Sequence, residues 1–205
     1  LQDVIAISIN NYAVEMSVKG QKLKSEGKRV EGQKIQDKAI SEMLRFIKEF
    51  PKHDKAAVTL ANAAKLTADA ERTREAVDLY ERLIRSYKKS TYATEAHFTL
   101  GGLYESQTRF DLAADYFEKV ASFPDIDDMK QIKDALYNAS SIRFSLQQYD
   151  QAVKILKRYI KKFPKDEDIP KFYIRIAETY ERMEKWGKAR KVYKKYIKKF
   201  SKTKK

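Results

Sequence analysis

The 205-residue chain contains no cysteine, 6 glycines, 4 prolines and 2 histidines. Without cysteine it can form neither disulfide bonds nor thiolate metal sites, although reducing and oxidising compartments both tolerate such a chain. So few glycines and prolines argue against a turn-rich β-sandwich. The most apolar segment, residues 1–18, is too short and too often interrupted by polar residues to span a bilayer. Because the helix formers Ala, Leu, Lys, Glu, Gln and Arg are abundant, we expect an all-α fold.

Residues that could carry catalysis or bind a metal are scarce. We expect His97 to be a packed core residue and His53, in a loop, to be exposed to solvent. Asp125, Asp127 and Asp128 lack the glycine and the distal glutamate of a calcium loop, which favours helix capping. The sequence has no phosphate-binding glycine loop and no nucleophile elbow. It therefore predicts no enzyme activity, no cofactor and no metal site.

Basic residues exceed acidic ones, 43 Lys and Arg against 29 Asp and Glu, giving a net charge of +14. Residues 185–205 contain eleven basic residues and no acidic one. One side of the helix predicted there carries Lys194, Lys195, Lys198 and Lys199, and the other side is apolar and includes Ile197. The lysines form either a solvated face or a surface that contacts phosphates or anionic lipid. We expect the apolar side to cover the preceding hairpin.

A repeat recurs along the chain, marked by alanines spaced 37, 37, 39 and 37 residues apart. These anchors are Ala39, Ala76, Ala113, Ala152 and Ala189. Twelve positions before each anchor lies a further small residue: Gly27, Ala64, Gly101, Ser140 and Ala177. The surrounding apolar residues have a period near 3.6, which predicts two helices per unit. Since small side chains let two helices approach closely, each unit is predicted to be an antiparallel helical hairpin.

The third unit gives the pattern its clearest form. It contains Thr99, Leu100, Gly101 and Tyr104, followed by Ala113, Phe117 and Pro124. This resembles the tetratricopeptide repeat, whose two helices carry Leu-Gly, Tyr, Ala, Phe and Pro at similar spacing. The resemblance covers about residues 56–200, with a longer period than the usual repeat of about 34 residues and with Arg143 where a Tyr is usual. It implies an α-solenoid, a right-handed superhelix of four to five helical hairpins.

Units that end in Phe-Pro are also similar to those of bacterial envelope repeat proteins. Examples are outer-membrane assembly lipoproteins and the periplasmic coordinator associated with the Tol system. This resemblance implies a periplasmic or outer-membrane location, and a cytoplasmic one stays open. A chain that opens at Leu1 rather than Met suggests an excised fragment or a processed product.

The domain organisation is predicted to be an irregular first hairpin, residues 1–51, followed by four repeats with a basic C-terminal helix, residues 52–205. Residues 21–38 contain only three large apolar residues and two glycines, so we expect an extended, polar, mobile hairpin tip. In an alternative alignment Ala13 is the small crossing residue, and two elongated helices accommodate the additional residues.

Polar residues with capping side chains precede the first helix of most units. They are Asp54, Ser90 or Thr91, Asp127 or Asp128, and Asp166 to Asp168. Pro170 suits a first helical turn, while Pro51, Pro124 and Pro164 follow second helices.

In tetratricopeptide domains the concave groove is lined by residues three before, one after and four after the small crossing residue. Transferred to this chain, these positions are Ala61, Lys65 and Ala68; Phe98, Gly102 and Glu105; Tyr137, Ser141 and Phe144; and Ile174, Glu178 and Glu181. Aromatic rings standing above Gly102 and Ser141 would suit an extended peptide or an amphipathic helix. Alternatively, these rings pack against neighbouring hairpins as ordinary core.

The resemblance thus implies a protein-interaction scaffold, expected to be monomeric, without a small-molecule substrate. Polar contacts to its partner are expected from Lys65, Arg143 and Arg175 or from an acidic rim at Glu178 and Glu181. The clamp that grips chaperone tails uses Lys and Asn at groove positions where this chain has Ala, Phe, Tyr and Ile, so no chaperone-tail binding is predicted. The alternative is nucleic-acid or anionic-membrane binding through the basic C-terminal helix.

Overall fold

A computed structural model describes residues 2–123 and 129–201, which form ten α-helices and no β-strand. The helices are α1 (Gln2–Ser25), α2 (Arg29–Glu49), α3 (Ala56–Asp69), α4 (Thr73–Ser86), α5 (Thr91–Ser106), α6 (Phe110–Val120), α7 (Met129–Ser145), α8 (Tyr149–Lys162), α9 (Ile169–Arg182) and α10 (Trp186–Phe200). The expected all-α fold is confirmed. Within these residues, no helix is both long and apolar enough to cross a membrane. Pro124 and the predicted caps at Asp127 or Asp128 lie outside the described residues.

The chain divides into two compact units, Leu1–Leu103 and Tyr104–Lys205, with the boundary inside α5. Unit 1 contains the helix pairs α1/α2 and α3/α4, and unit 2 contains α7/α8 and α9/α10. In each pair the two helices pack against each other after a short turn. The predicted division into residues 1–51 and 52–205 stays a prediction.

All five anchoring alanines are at most 2% exposed. Four of them lie inside these helix pairs, and Ala113 lies on α6. Ala64, Ser140 and Ala177, the small residues on the paired helices, are buried to the same degree. Any larger side chain at these positions would push the two backbones apart, because protein interiors leave no spare volume. The predicted nesting of small residues is confirmed at these positions.

The first hairpin differs from the expected one. Gly27 lies in the turn between α1 and α2 with φ +85°, so its assignment as the crossing residue is wrong. The helices instead approach at Gly20 and Gly32, where a Cβ on Gly20 would lie 2.8 Å from the Gly32 carbonyl oxygen. Ala13 is fully buried beside Ile40. The elongated-helix alternative therefore describes this hairpin, because two glycines remove the steric barrier between its polar ends.

The turn inside each pair has the same backbone conformation. Glu71, Thr108, Gln147 and Glu184 all have φ between 56° and 61°, in the left-handed region. The following N–H then donates back to a carbonyl five residues earlier, as from Gln148 to Arg143 (2.8 Å). This is the Schellman ending of a helix, normally built on glycine. The sequence does not reveal this ending, because glycine occupies only the first of the five turns.

Side-chain caps were predicted at the N-terminus of the first helix in most hairpins, and only some of them are present. Ser90 Oγ accepts a hydrogen bond from the Tyr92 N–H at 3.3 Å, which confirms that cap. Before α3 the predicted cap at Asp54 is wrong, since His53 Nδ1 accepts from the Lys55 N–H instead. His53 is consequently half-buried against Phe46, not exposed as expected. His97 is buried as predicted, with Nδ1 2.7 Å from the Ala93 carbonyl oxygen.

Near the start of α9, Asp166 Oδ1 accepts from the Asp168 N–H (2.9 Å), and Pro170 occupies the first turn. Aromatic packing then joins α9 to α8. The Tyr159 and Phe172 rings meet edge to face with centroids 4.5 Å apart, and both are buried. This contact fixes α9 beside α7 and α8 and so positions the residues described next.

Candidate functional site: a cavity in unit 2

Unit 2 contains a cavity of about 1250 Å³. It is lined by residues of α7 and α9, by Asp168 just before α9 and by Trp186, the first residue of α10. Five groove residues predicted from spacing lie in its wall: Tyr137, Phe144, Ile174, Glu178 and Glu181. The predicted groove positions do not include six others: Asp168, Lys171, Phe172, Arg175, Arg182 and Trp186. Of these, only Arg175 was expected to contact a partner. Among them, Lys171, Arg175 and Arg182 follow helical spacing on α9, so a wider stripe would have found them. Nothing in the α9 stripe points to Trp186, which begins the next helix.

The aromatic residues of this cavity are unequally exposed. Tyr137 is 47% exposed and touches the buried Phe172 ring at a centroid distance of 6.3 Å. Trp186 is 64% exposed. Phe144 is half-buried and meets Tyr149 edge to face at 5.5 Å. Tyr137 and Trp186 therefore retain apolar surface that a ligand could cover, unlike ordinary core residues.

Two guanidinium groups lie over the same ring in the cavity wall. The Cζ atoms of Arg175 and Arg182 are 5.2 and 5.4 Å from the Phe144 centroid, within cation–π range. Their spacing of seven residues places both on one side of α9. Within the described part of the chain, neither guanidinium forms an ion pair within 4.0 Å. Both are therefore positioned by the ring and keep their donors free for a ligand.

The remaining charges of the cavity are partly engaged. Lys171 Nζ donates to Asp168 Oδ1 at 2.6 Å, and this hydrogen bond raises the pKa of Lys171. The Tyr193 hydroxyl donates to Glu181 Oε2 at 3.3 Å. Burial raises the pKa of Tyr193, and the Glu181 charge adds to the effect. Glu178 is exposed. The cavity thus has an apolar floor and a rim on which both charge signs are present.

A smaller pocket of about 380 Å³ adjoins this cavity through Tyr137, Asp168 and Phe172. At its base, Lys133 forms an ion pair with Asp166, whose side chain is 6% exposed. Burial alone would raise the pKa of Asp166. The hydrogen bonds from Lys133 and from the Asp168 N–H outweigh burial and lower that pKa overall. The pair fastens the segment before α9 to α7.

The other predicted groove residues of unit 2 lie apart from the cavity wall. Ser141 is half-buried and Glu105 is exposed, and neither lines the cavity. Arg143, expected to contact a partner, is instead buried and forms ion pairs with α6. Its carboxylate partners are Asp111 (3.3 Å), Asp115 and Glu118 (3.0 Å). That expectation is corrected, because its donors are engaged within the fold.

In unit 1, Lys65 lines a pocket of about 210 Å³ together with Asn62 and with Val14 and Val18 of α1. Ala61, Ala68 and Phe98 are half-buried and Gly102 is exposed, and none of them lines this pocket. Val14 and Ser17, which also lines the pocket, were missed because the first hairpin was aligned on Gly27. The same spacing applied to Ala13 predicts Asn10, Val14 and Ser17, and the latter two line the pocket.

The basic residues Lys194, Lys195, Lys198 and Lys199 are all exposed on α10. The apolar side of α10 packs on α9, with Phe200 and Tyr173 edge to face at 5.6 Å. Ile197 was expected on the side of the helix that covers the preceding hairpin, but its side chain is 57% exposed. In residues 2–123 and 129–201, no cluster of His, Asp and Glu has the geometry of a metal site.

Comparison with protein families agrees with the resemblance that the repeat pattern showed. Models of the tetratricopeptide repeat match residues 62–125, 134–166 and 173–203, together more than half of the chain. No curated protein matches the chain in sequence.

Several solved structures share the fold at low sequence identity. A crystal structure of MamA protein has a TM-score of 0.56 and 19% identity, and the match covers 96% of each chain. The TPR-like repeats of a putative kinesin light chain from Podosopora anserina reach 0.55 at 13% identity, covering 95% of this chain and 97% of that one. A tetratricopeptide repeat protein from Parabacteroides merdae ATCC 43184 reaches 0.55 at 12% identity, with 94% and 68% covered. At such identities the similarity shows the fold alone.

Proposed function

Since this chain belongs to the tetratricopeptide repeat family, we propose that it is a protein-interaction scaffold whose unit 2 cavity binds a segment of a partner protein. Repeats of this family support protein–protein interaction and are generally non-enzymatic. The finer proposal is that the bound segment is an extended peptide or an amphipathic helix. Its apolar side chains would cover Tyr137, Phe144, Ile174 and Trp186.

The observation that carries this proposal is exposed aromatic surface beside free guanidinium groups in one cavity. If a partner buries on the order of 100 Å² on each of Tyr137, Phe144 and Trp186, the gain is about 7 kcal/mol at ~25 cal/mol per Å². Association costs ~4 to 15 kcal/mol, so apolar contact alone would bind weakly. Arg175 and Arg182 can supply the additional free energy, because each offers donors to a partner carboxylate.

The proposal is tested by partner capture with the double variant Tyr137→Ala/Phe144→Ala. Affinity capture and mass spectrometry would identify the partner, and calorimetry with its isolated binding segment would compare the variants. We expect at least about tenfold weaker binding, because two of three aromatic contacts are lost. The matched control is Phe110→Ala/Met129→Ala, which removes two exposed apolar side chains of unit 2 that do not line the cavity.

Equal affinity of the cavity variant and the wild type would refute this placement of the partner. Equal weakening by both double variants would indicate a general loss of structure. Circular dichroism melting of each variant separates these cases, since a site effect leaves the melting temperature of the two variants similar.

A place in a bacterial envelope complex is a further prediction, supported by the Phe-Pro endings of the repeats. The expected monomeric state is likewise a prediction, checked by sedimentation. Binding of nucleic acid or of an anionic membrane by Lys194, Lys195, Lys198 and Lys199 concerns a different surface, on α10.

A further inference from the structure

The excess of positive charge in the chain comes from two segments. Of the 43 Lys and Arg, 17 lie in residues 151–165 and 185–205, and these segments contain none of the 29 Asp and Glu. The remainder has 26 basic and 29 acidic residues, a net charge of −3, although the whole chain carries +14. The first segment lies on α8 and the residues after it, and the second begins just before α10. The excess charge is therefore a local property of unit 2.

Lysines from both helices approach the same ring of α9. The Nζ atoms of Lys157 on α8 and Lys188 on α10 are 5.3 and 5.7 Å from the same Tyr180 ring centroid. Lys185, next to α10, also forms an ion pair with Asp150 at the start of α8 (3.3 Å). The two basic segments thus merge into one surface.

The lysines of this surface point away from the buried side of each helix. On α8 the buried side contains Leu156, and on α10 it contains Ala189. We define the basic face by five exposed lysines: Lys154, Lys161, Lys191, Lys195 and Lys198. Among the residues the structure describes, none of the five forms an ion pair. Their charge is therefore not neutralised within the fold and acts on an external anion.

We propose that the basic face docks unit 2 on an anionic lipid bilayer. Of the 17 basic residues in the two segments, 15 are lysines, which act as point charges toward a diffuse layer of headgroups. Arg158, one of the two arginines, is engaged within the fold, donating to the Glu118 carbonyl oxygen (3.3 Å) and to Ser122 Oγ (3.0 Å).

Nucleic acid fits this face less well. The aromatic rings of α8 are buried or half-buried, and Trp186, the exposed ring at the start of α10, lies in the cavity wall. Single strands therefore find no exposed ring on the basic face on which bases could stack. The five lysines are spread over two helices, α8 and α10, and so form a broad face, whereas the cavity of unit 2 is lined mainly by α7 and α9. A broad face matches a bilayer plane better than the curved surface of a duplex.

Docking through the basic face would orient unit 2 relative to the bilayer. Because the rest of the chain is net negative, an anionic surface attracts the basic face more strongly than the remainder of the chain. The cavity is lined mainly by α7 and α9 and so stays open to solvent when α8 and α10 contact the bilayer. The scaffold would then hold its partner at a membrane surface.

The test is vesicle co-sedimentation of the full chain. Vesicles of phosphatidylcholine alone are compared with vesicles containing about one third phosphatidylserine. We expect binding only to the second kind, lost when salt rises from about 0.1 M to about 1 M, since the Debye length falls from ~10 to ~3 Å. The variant Lys154→Glu/Lys161→Glu/Lys195→Glu/Lys198→Glu should bind at least about tenfold more weakly.

A matched control reverses the same number of charges in unit 1, as Lys19→Glu/Lys22→Glu/Lys88→Glu/Lys89→Glu, all exposed. It should retain binding within about threefold, because those lysines lie outside the basic face. Equal loss in both variants, or no binding to phosphatidylserine vesicles, would overturn the proposal. Tighter binding to a DNA or RNA duplex than to these vesicles at the same salt would also overturn it.

Because the chain has no cysteine, single-cysteine labelling can test the orientation independently. An environment-sensitive dye on Lys161→Cys should respond to phosphatidylserine vesicles, and the same dye on Glu178→Cys in the cavity should not. A response at Glu178 alone would contradict docking by the basic face. Partner binding is not part of this assay, so its result is independent of the proposed function.

Discussion

Arg143 Nε donates a hydrogen bond to Glu118 Oε1 at 3.0 Å and thereby joins α7 to α6. The Arg143 side chain is 7% exposed, and its other nitrogens reach Asp111, Asp115 and Gln148. The usual tetratricopeptide pattern has a tyrosine here, as implied by the resemblance above. In this chain a single guanidinium, held by three carboxylates spaced along α6, links two neighbouring helices by charge.

Arg143→Leu should lower the free energy of unfolding by about 2 kcal/mol. The loss stays below that of a fully buried pair because the three carboxylates are partly exposed and can be hydrated. Urea unfolding would measure it. As a control, Arg85→Leu removes an exposed pair with Glu81 and should cost no more than about 0.5 kcal/mol. Equal effects of the two substitutions would contradict this account of Arg143.

The pH dependence of stability should report on Asp166, whose pKa is lowered in the folded state. A carboxyl with a lowered folded pKa stabilises the fold above its unfolded pKa of about 3.9 and loses that contribution as pH falls through the folded value. The difference in unfolding free energy between wild type and Asp166→Asn should thus be constant from about pH 7 to 5. It should shrink below about pH 4.

Lys133→Met removes the basic partner of the same ion pair. The difference in unfolding free energy between wild type and this variant should also shrink below about pH 4. A wild-type advantage over Asp166→Asn that persists unchanged at about pH 2 would exclude this role for the carboxylate.

At the turn residues with left-handed backbone conformation, substitution to or from glycine should change the stability of the fold. Thr108 is β-branched with φ 59°, so Thr108→Gly should stabilise the protein by about 0.5 to 1 kcal/mol. Gly27→Ala should have the opposite sign and a similar size, since φ is +85° and a Cβ there meets no neighbour within 4 Å. Thermal melting of both variants measures the two effects, and a destabilising Thr108→Gly would count against the turn geometry.

Close approach of α1 and α2 should make Gly20 intolerant of a side chain. A Cβ at this position would lie 2.6 Å from Gln36 Cγ and 2.8 Å from the Gly32 carbonyl oxygen, so Gly20→Ala should cost about 2 kcal/mol or more. Gly102→Ala is the matched control, because a Cβ there has open space. That substitution should stabilise α5 by about 0.5 to 1 kcal/mol. A neutral Gly20→Ala in urea unfolding would mean that the two helices are further apart.

Spacing predicted the helix pairs, and the groove positions implied by the tetratricopeptide resemblance predicted part of the cavity. The anchoring alanines recur because each crossing point admits only a small side chain, and Tyr137, Phe144, Ile174 and Glu178 followed by counting from them. Gly27 was misassigned, since a glycine required by a turn and one required by a helix crossing look the same in a sequence.

Other features depend on contacts between hairpins, which local spacing does not specify. Nothing in the α7 sequence indicates that Arg143 pairs with α6 carboxylates and not with a ligand. Arg175 and Arg182 converge on Phe144 only because α9 packs beside α7. Trp186 enters the cavity from the start of α10, beyond the stripe that the repeat pattern defines.

Site-specific photo-cross-linking tests the central claim most directly, because it does not require the partner to be known in advance. A benzophenone amino acid replaces Ile174 in the cavity wall or, as a control, the exposed Gln151 on α8. We expect a cross-linked partner from position 174 that is absent from position 151 and is reduced when Tyr137→Ala is added. Cross-linking of the same partner from position 151 and not from 174 would contradict binding in the unit 2 cavity.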